Sequence, residues 1–183
     1  MPGVASDGID TLDAGRSLSR LRVVALCGAP GSGKSTIHPY LVRAAAPMVV
    51  IDLDELLEDG QLLGVRIAGS AGEPVRPAYD RMWERIISMV TRAGHCVLVL
   101  CPIPSASALR EPGGRIAQWI LLDCPDDIRR SRLRARGWSS ESIADAIEGA
   151  SLDRQMVPDV VCWAGEAPGE LSGRVLERVS RHT

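Results

Sequence analysis

The stretch Gly28-Ala29-Pro30-Gly31-Ser32-Gly33-Lys34-Ser35-Thr36 constrains this chain more than any other, because it satisfies the spacing G-x-x-x-x-G-K-[ST]. Glycines in this pattern let the backbone curl around a tetrahedral anion and turn its N–H groups inward. A helix that begins where the loop ends adds its partly positive N-terminus. The flanks agree with that geometry: Arg22 to Cys27 is a short apolar run, and Thr36 to Ala46 reads as helical. All nine residues are therefore candidates for the phosphates of a nucleoside triphosphate. Lys34 would reach the β- and γ-phosphates, the Ser35 hydroxyl would ligate Mg²⁺, and Thr36 would approach the α-phosphate. Lys34 is the chain's only lysine, beside twenty arginines. Pro39 falls beyond the first turn of the helix, where proline removes a hydrogen bond and is expected to kink it.

Four further apolar runs resemble the first: Val49 to Ile51, Cys96 to Leu100, Trp119 to Leu122 and Val160 to Cys162. Short runs of this kind suit strands buried on both faces. Between them lie helical stretches at Tyr79–Ala93, Asp126–Arg136, Ser140–Ala150 and Glu170–Ser180. In the first of these, Met82, Ile86, Met89 and Val90 recur at amphipathic spacing. The alternation predicts an α/β fold with a mainly parallel five-stranded sheet, helices on both faces, and ligands at the carboxyl ends of the strands. Gly60–Pro77 and Pro102–Gly114 read as loops, and residues 1–20 as a flexible arm before a single domain spanning 21–183.

With 183 residues, 45% hydrophobic and 24% charged, the chain is long enough for one core. A net charge of -2 offers no electrostatic footprint for nucleic acid. The absence of a long apolar segment argues against a membrane span and leads to an expected cytoplasmic location, as a monomer or homodimer. Cys27, Cys96, Cys101, Cys124 and Cys162 lack paired metal-ligand spacing and read as reduced thiols of the core. Cys101 stands apart, because it is expected to end a strand beside the active site.

After the second apolar run, Asp52 and Asp54 lie two residues apart. In extended geometry they would project to one face at the carboxyl edge. Phosphoryl transfer to an alcohol needs a proton acceptor and a held metal, so Asp54 is the candidate base and Asp52 the candidate for the Mg²⁺ water shell. The alternative is that these acids cap a following helix.

The loop together with Ile51-Asp52-Leu53-Asp54 resembles the small P-loop kinases related to shikimate kinase, gluconate kinase, chloramphenicol phosphotransferase and the kinase part of polynucleotide kinase. The resemblance covers most of Leu21 to Val179. It implies a P-loop NTPase fold, a three-layer α/β/α sandwich that is nucleoside-monophosphate-kinase-like with a short lid at about 137–154. It also implies ATP and Mg²⁺ as cofactors, a small-molecule hydroxyl acceptor, and contact between Asp54 and that hydroxyl. By the same likeness Arg132 would stack on adenine, Arg136 would approach the phosphates, and Ala164 to Pro168 would border the base. Arg154 is a weaker phosphate candidate, while Arg129, Arg130 and Arg134 read as a solvated helix face.

Two features bound the function. The third apolar run ends in Cys101-Pro102 rather than the Asp that many P-loop proteins use for Mg²⁺, so Asp52 would have to cover that role. No N-K-x-D motif is present, which favours ATP over GTP. Arg66, Arg76, Arg81 and Arg85 could bind an anionic acceptor, and Tyr79 and Trp83 could line an acceptor pocket or pack in the core. A nucleoside or nucleotide kinase, a polynucleotide 5′-hydroxyl kinase and a non-catalytic ATP-dependent switch are the competing readings.

Overall fold

Five parallel strands form the centre of the computed structural model, which describes residues 23–67, 70–102 and 116–181. The elements run β1 (Val23–Cys27), α1 (Lys34–Ala44), β2 (Val49–Asp52), a small hairpin β3 (Gln61–Leu62) and β4 (Val65–Arg66), α2 (Arg76–Arg92), β5 (Val97–Leu100), β6 (Ile116–Asp123), α3 (Asp126–Ala135), α4 (Ser140–Met156), β7 (Val160–Cys162) and α5 (Pro168–Ser180). In the sheet the order is β2-β5-β1-β6-β7. The chain leaves β1 toward one side for β2 and β5, then crosses to the other for β6 and β7. The carboxyl end of β1 is thus the topological switch point, where open α/β sheets bind ligands.

Alternation along β1 builds both cores. Val24 and Leu26 face Ile37 and Leu41 of α1 and Leu171, Val175 and Val179 of α5. Val23, Ala25 and Cys27 face the opposite layer, where Tyr79 and Trp83 of α2 pack against Val97, Val99 and Ile51. This is the predicted α/β/α sandwich. Burial of Ile37 and Leu41, each worth roughly 1.5–3 kcal/mol, fixes the first turns of α1 and hence the loop that precedes it. Helix α1 continues through Pro39 to Ala44. Proline has no N–H, so the Ser35 carbonyl lacks its usual partner four residues on.

Several details differ from expectation. The stretch at Gly60–Pro77 is not featureless, because β3 and β4 pair across Leu63-Gly64 with φ of 50° and 80°. Positive φ at both central positions is the turn that suits a two-residue hairpin, but Leu at the first is not a residue that advertises it. Helix α4 runs six residues past Ala150, to Met156. It ends because Val157, preceding Pro158, adopts extended backbone. On α2, Met89 is exposed, while Met82, Ile86 and Val90 pack against the core. Residues 1–20 lie outside the described residues, as does all of Pro102–Gly114 except Pro102. Among the described residues no helix is long and apolar enough to cross a membrane.

Candidate functional site

Between β1 and α1 the predicted loop forms a tight curl. A Cβ on Gly28 would sit 2.4 Å from the Leu122 carbonyl oxygen and 2.9 Å from Ser32 Oγ, so only glycine fits there. Gly33, with φ of 110°, caps α1 in a left-handed conformation that L side chains rarely adopt. Ser32 is 1% exposed, and its Oγ has no hydrogen-bond partner among the described residues. An orphaned buried hydroxyl inside a glycine cradle at a helix N-terminus fits a loop that closes on phosphate oxygens. The Lys34 ammonium donates to the Gly28 carbonyl across the curl. Burial pushes its pKa below the ordinary lysine value, opposed by Cys101, Cys27, Asp54 and Asp52.

A cavity of about 240 Å³ is lined by the loop from Gly28 to Ser35 together with Asp54, Pro102 and Arg136. Three segments far apart in sequence thus meet around Lys34. Asp52 is not on this wall. It is the last residue of β2, and Asp54 belongs to a 3₁₀ turn over Leu53–Leu56 rather than to extended chain. The Asp54 N–H donates to Asp52 Oδ1 at 3.0 Å, so Asp52 caps the turn that carries Asp54. The two acids therefore divide: one positions, the other faces the cavity. Burial raises the Asp54 carboxyl above the usual carboxylate range; Asp52 adds to this and Lys34 opposes it. The Tyr79 hydroxyl donates to the Leu53 carbonyl, which ties the turn to α2. Tyr79 and Trp83 are core residues, stacked edge to face at 6.2 Å.

Helix α3 grips the outer side of the loop. Arg129 Nη1 donates to the carbonyls of Pro30 at 2.7 Å and Ala29 at 3.3 Å, and Arg132 Nη1 to those of Gly31 at 3.0 Å and Ser32 at 3.4 Å. Two arginines on adjacent positions of one helical face thus hold four consecutive carbonyls. Arg129 is fully buried and pairs with Asp123, which overturns its reading as part of a solvated face; Arg130 and Arg134 are exposed as expected. The missed signal is Asp123, six residues upstream at the end of an apolar run.

The Arg132 guanidinium also lies over the Trp163 ring, 4.8 Å from its centroid. Together with Gly33, Thr36, Glu166 and Pro168 these two side chains line a cleft of about 170 Å³ at the end of the loop away from Asp54. The cleft includes the segment expected to border a base. Trp163 is another residue that sequence reasoning missed.

Other candidates separate from the site. Arg154 Nε donates to Asp123 at 2.6 Å and Nη2 to Asp126 at 2.6 Å, so its guanidinium is committed to structure rather than to a phosphate. Arg76 donates to the Ile67 carbonyl at 3.1 Å. Arg66, Arg81 and Arg85 are exposed and do not line the cavities at the loop. Burial pushes both the Cys27 and Cys101 thiols up to about 12, so neither is a nucleophile near neutral pH. Cys162 is exposed, against its reading as a core thiol. Among the described residues no cluster of three metal-ligating side chains occurs. A divalent cation here would need oxygens from a bound phosphate chain besides Ser35 and the carboxylates.

Comparison with known proteins agrees with the fold that carries these residues. Among solved structures, the tunicamycin resistance protein of Deinococcus radiodurans shares 16% identity at a TM-score of 0.62, covering 87% of this chain and 96% of that one. A sugar kinase from Janibacter shares 15% at 0.61, covering 87% and 95%. Shikimate kinase from Acinetobacter baumannii shares 14% at 0.58, covering 92% and 98%. At these identities the likeness is one of fold, the P-loop kinase fold. No curated protein matches the sequence. A family model described as an AAA domain matches residues 24–153, from β1 through the loop, the carboxylates and the arginine helix, and the chain belongs to that family of P-loop proteins.

Proposed function

We propose that this protein is an ATP- and Mg²⁺-dependent phosphotransferase that phosphorylates a hydroxyl group of a small molecule. The observation that carries the reading is the meeting of Asp54, Lys34 and Arg136 around one cavity of about 240 Å³. Bound MgATP would supply the phosphoryl group and the metal's share of charge neutralisation. The loop N–H groups and Lys34 would hold the β- and γ-phosphates, Ser35 would hold the metal, and Thr36 would approach the α-phosphate; Asp52, which caps the Asp54 turn, would reach the metal only through its water shell. Arg132, backed by Trp163, offers a flat cationic face to the base. Asp54 accepts the proton of the acceptor hydroxyl, and Arg136 offsets charge that builds on the transferred group. A carboxyl raised by burial is a better proton acceptor than an ordinary one, which suits Asp54 to this role.

The test is a mass-spectrometric search for phosphorylated products after incubation with MgATP and pooled sugars, nucleosides, hydroxy amino acids and hydroxylated antibiotics. A product should form with the native protein and fall by about 10²–10³-fold or more in Lys34→Ala. It should also be lost in Asp54→Asn. Full turnover in Asp54→Asn would remove Asp54 as the base. A second reading, a non-catalytic ATP-dependent switch, is favoured by the end of β5 in Cys101-Pro102 with no carboxylate for Mg²⁺. It predicts tight ATP binding with no product from any pool.

A further inference from the structure

Beside the phosphate cavity lies a second one, of about 420 Å³, and the two share Gly28, Ala29, Pro30 and Pro102 as a common wall. Its far side is the inner face of α4, which presents Ser142, Asp145 and Asp153, with Trp138 at the turn before the helix. Ala146 and Gly149 give that face little bulk, and this is what leaves the room. A molecule in this space would meet the loop at its Gly28 end, next to the cavity that holds Asp54.

Asp153 is the unusual member. It is 7% exposed, yet its carboxylate makes no hydrogen bond with any described residue. The neighbouring cations have other commitments: Arg129 to Asp123 and the loop carbonyls, Arg154 to Asp123 and Asp126, Lys34 to Gly28. Burial raises the Asp153 carboxyl above its ordinary value, with Arg129 and then Lys34 opposing. Arg129, Lys34 and Arg154 offset the burial of this carboxylate only through space, without a direct contact, and a cationic partner would relieve the remaining desolvation cost better than a neutral one. Among the described residues that line the cavity the only charged ones are Asp145 and Asp153, so a carboxylate or phosphate on the occupant would meet like charge on that wall.

We propose that this cavity is the acceptor site and that Asp153, assisted by Asp145, selects a hydroxyl compound bearing a protonated amine, such as an amino sugar or aminocyclitol. Trp138 and Pro102 supply the apolar wall against which the ring of such a compound lies. The proposal rests on the phosphotransferase reading and narrows it: the carboxylates of Asp145 and Asp153 disfavour anionic acceptors, mononucleotides among them.

Equilibrium binding separates the two. With the protein saturated by Mg²⁺ and a non-hydrolysable ATP analogue, saturation-transfer NMR compares glucosamine and 2-deoxystreptamine with their N-acetyl forms, and with glucuronate and glucose 6-phosphate. The amines should bind at least about tenfold more tightly than their acetylated twins, and the anions not at all. Asp153→Asn should erase that preference without lowering the melting temperature of the ligand-free protein, whereas loss of a structural ion pair would lower it. Asp145→Asn, at an exposed position with no risk to folding, should weaken the preference in part. Equal binding of amine and acetylated forms, binding of the anions, or an unchanged preference in Asp153→Asn would overturn the proposal. Amine selectivity in a protein that phosphorylates nothing would uphold the pocket and sink the kinase reading. Turnover confined to neutral or anionic acceptors would do the reverse.

Discussion

Asp52 and Asp54 show how one residue's conformation changes the role of its neighbour. Had both lain in extended chain they would have shared a face and competed for the same ligands. Because the chain turns into a 3₁₀ helix after Asp52, that carboxylate binds the Asp54 N–H, and only Asp54 lines the cavity. The electrostatic coupling remains, since Asp52 contributes to raising the Asp54 carboxyl, after burial, against Lys34. If Asp54 is the base, activity should fall as pH drops through its raised pKa, giving an acid limb above the usual carboxylate range. Asp52→Asn removes a charge that holds the pKa up, so the limb in a kcat/KM profile should move to lower pH. The sign for stability is opposite to that of a salt-bridged acid. A carboxyl raised in the folded state favours folding when protonated, and that contribution is lost as pH rises through the folded pKa. Asp54→Asn should therefore keep or raise the melting temperature at neutral pH while losing activity.

Among the elements, α3 does the most to shape the loop. Its two arginines bind the carbonyls of residues 29 to 32 from outside, which leaves the opposite edge of the loop backbone to face a ligand. Periodicity could not reveal this, because a run of arginines on a helix ordinarily marks a solvated face and says nothing about what packs over it. Arg129 differs from Arg130 only in its direction from the helix axis, yet that difference buries it completely beside Asp123. Removing one partner of such a pair leaves the other charge uncompensated. Arg129→Met should destabilise the protein by about 3–5 kcal/mol in denaturant unfolding. Arg130→Met, on the exposed side, should change stability by less than about 0.5 kcal/mol. Equal effects of the two substitutions would show that the clamp on the loop carries no weight.

For the molecule as a whole, the sheet order brings the ends of β1, β2, β5 and β6 to one edge, so ligand binding there should tie both halves of the sheet together. A nucleotide at 100 times its Kd stabilises the folded state by about 2.7 kcal/mol. For a chain of this length that corresponds to a rise in melting temperature of roughly 5–10 °C, at about 2–4 °C per kcal/mol. MgATP should produce such a shift in a thermal melt and Lys34→Ala should abolish it. Much of this was legible in the sequence: the spacing from Gly28 to Thr36 dictated loop, strand and helix, and the alternating apolar runs dictated the parallel sandwich. Both are local patterns, set by backbone sterics and by burial along a single element. What only the tertiary structure decided concerns groups brought together from distant segments: Arg136 and Asp54 on one cavity, Trp163 beneath Arg132, Arg129 against Asp123, and Asp153 beside the loop. The polarity of each of these side chains can be read from the sequence. Its partner cannot, because the energy of a buried charge depends on what the fold packs against it, and that is settled only when the layers close.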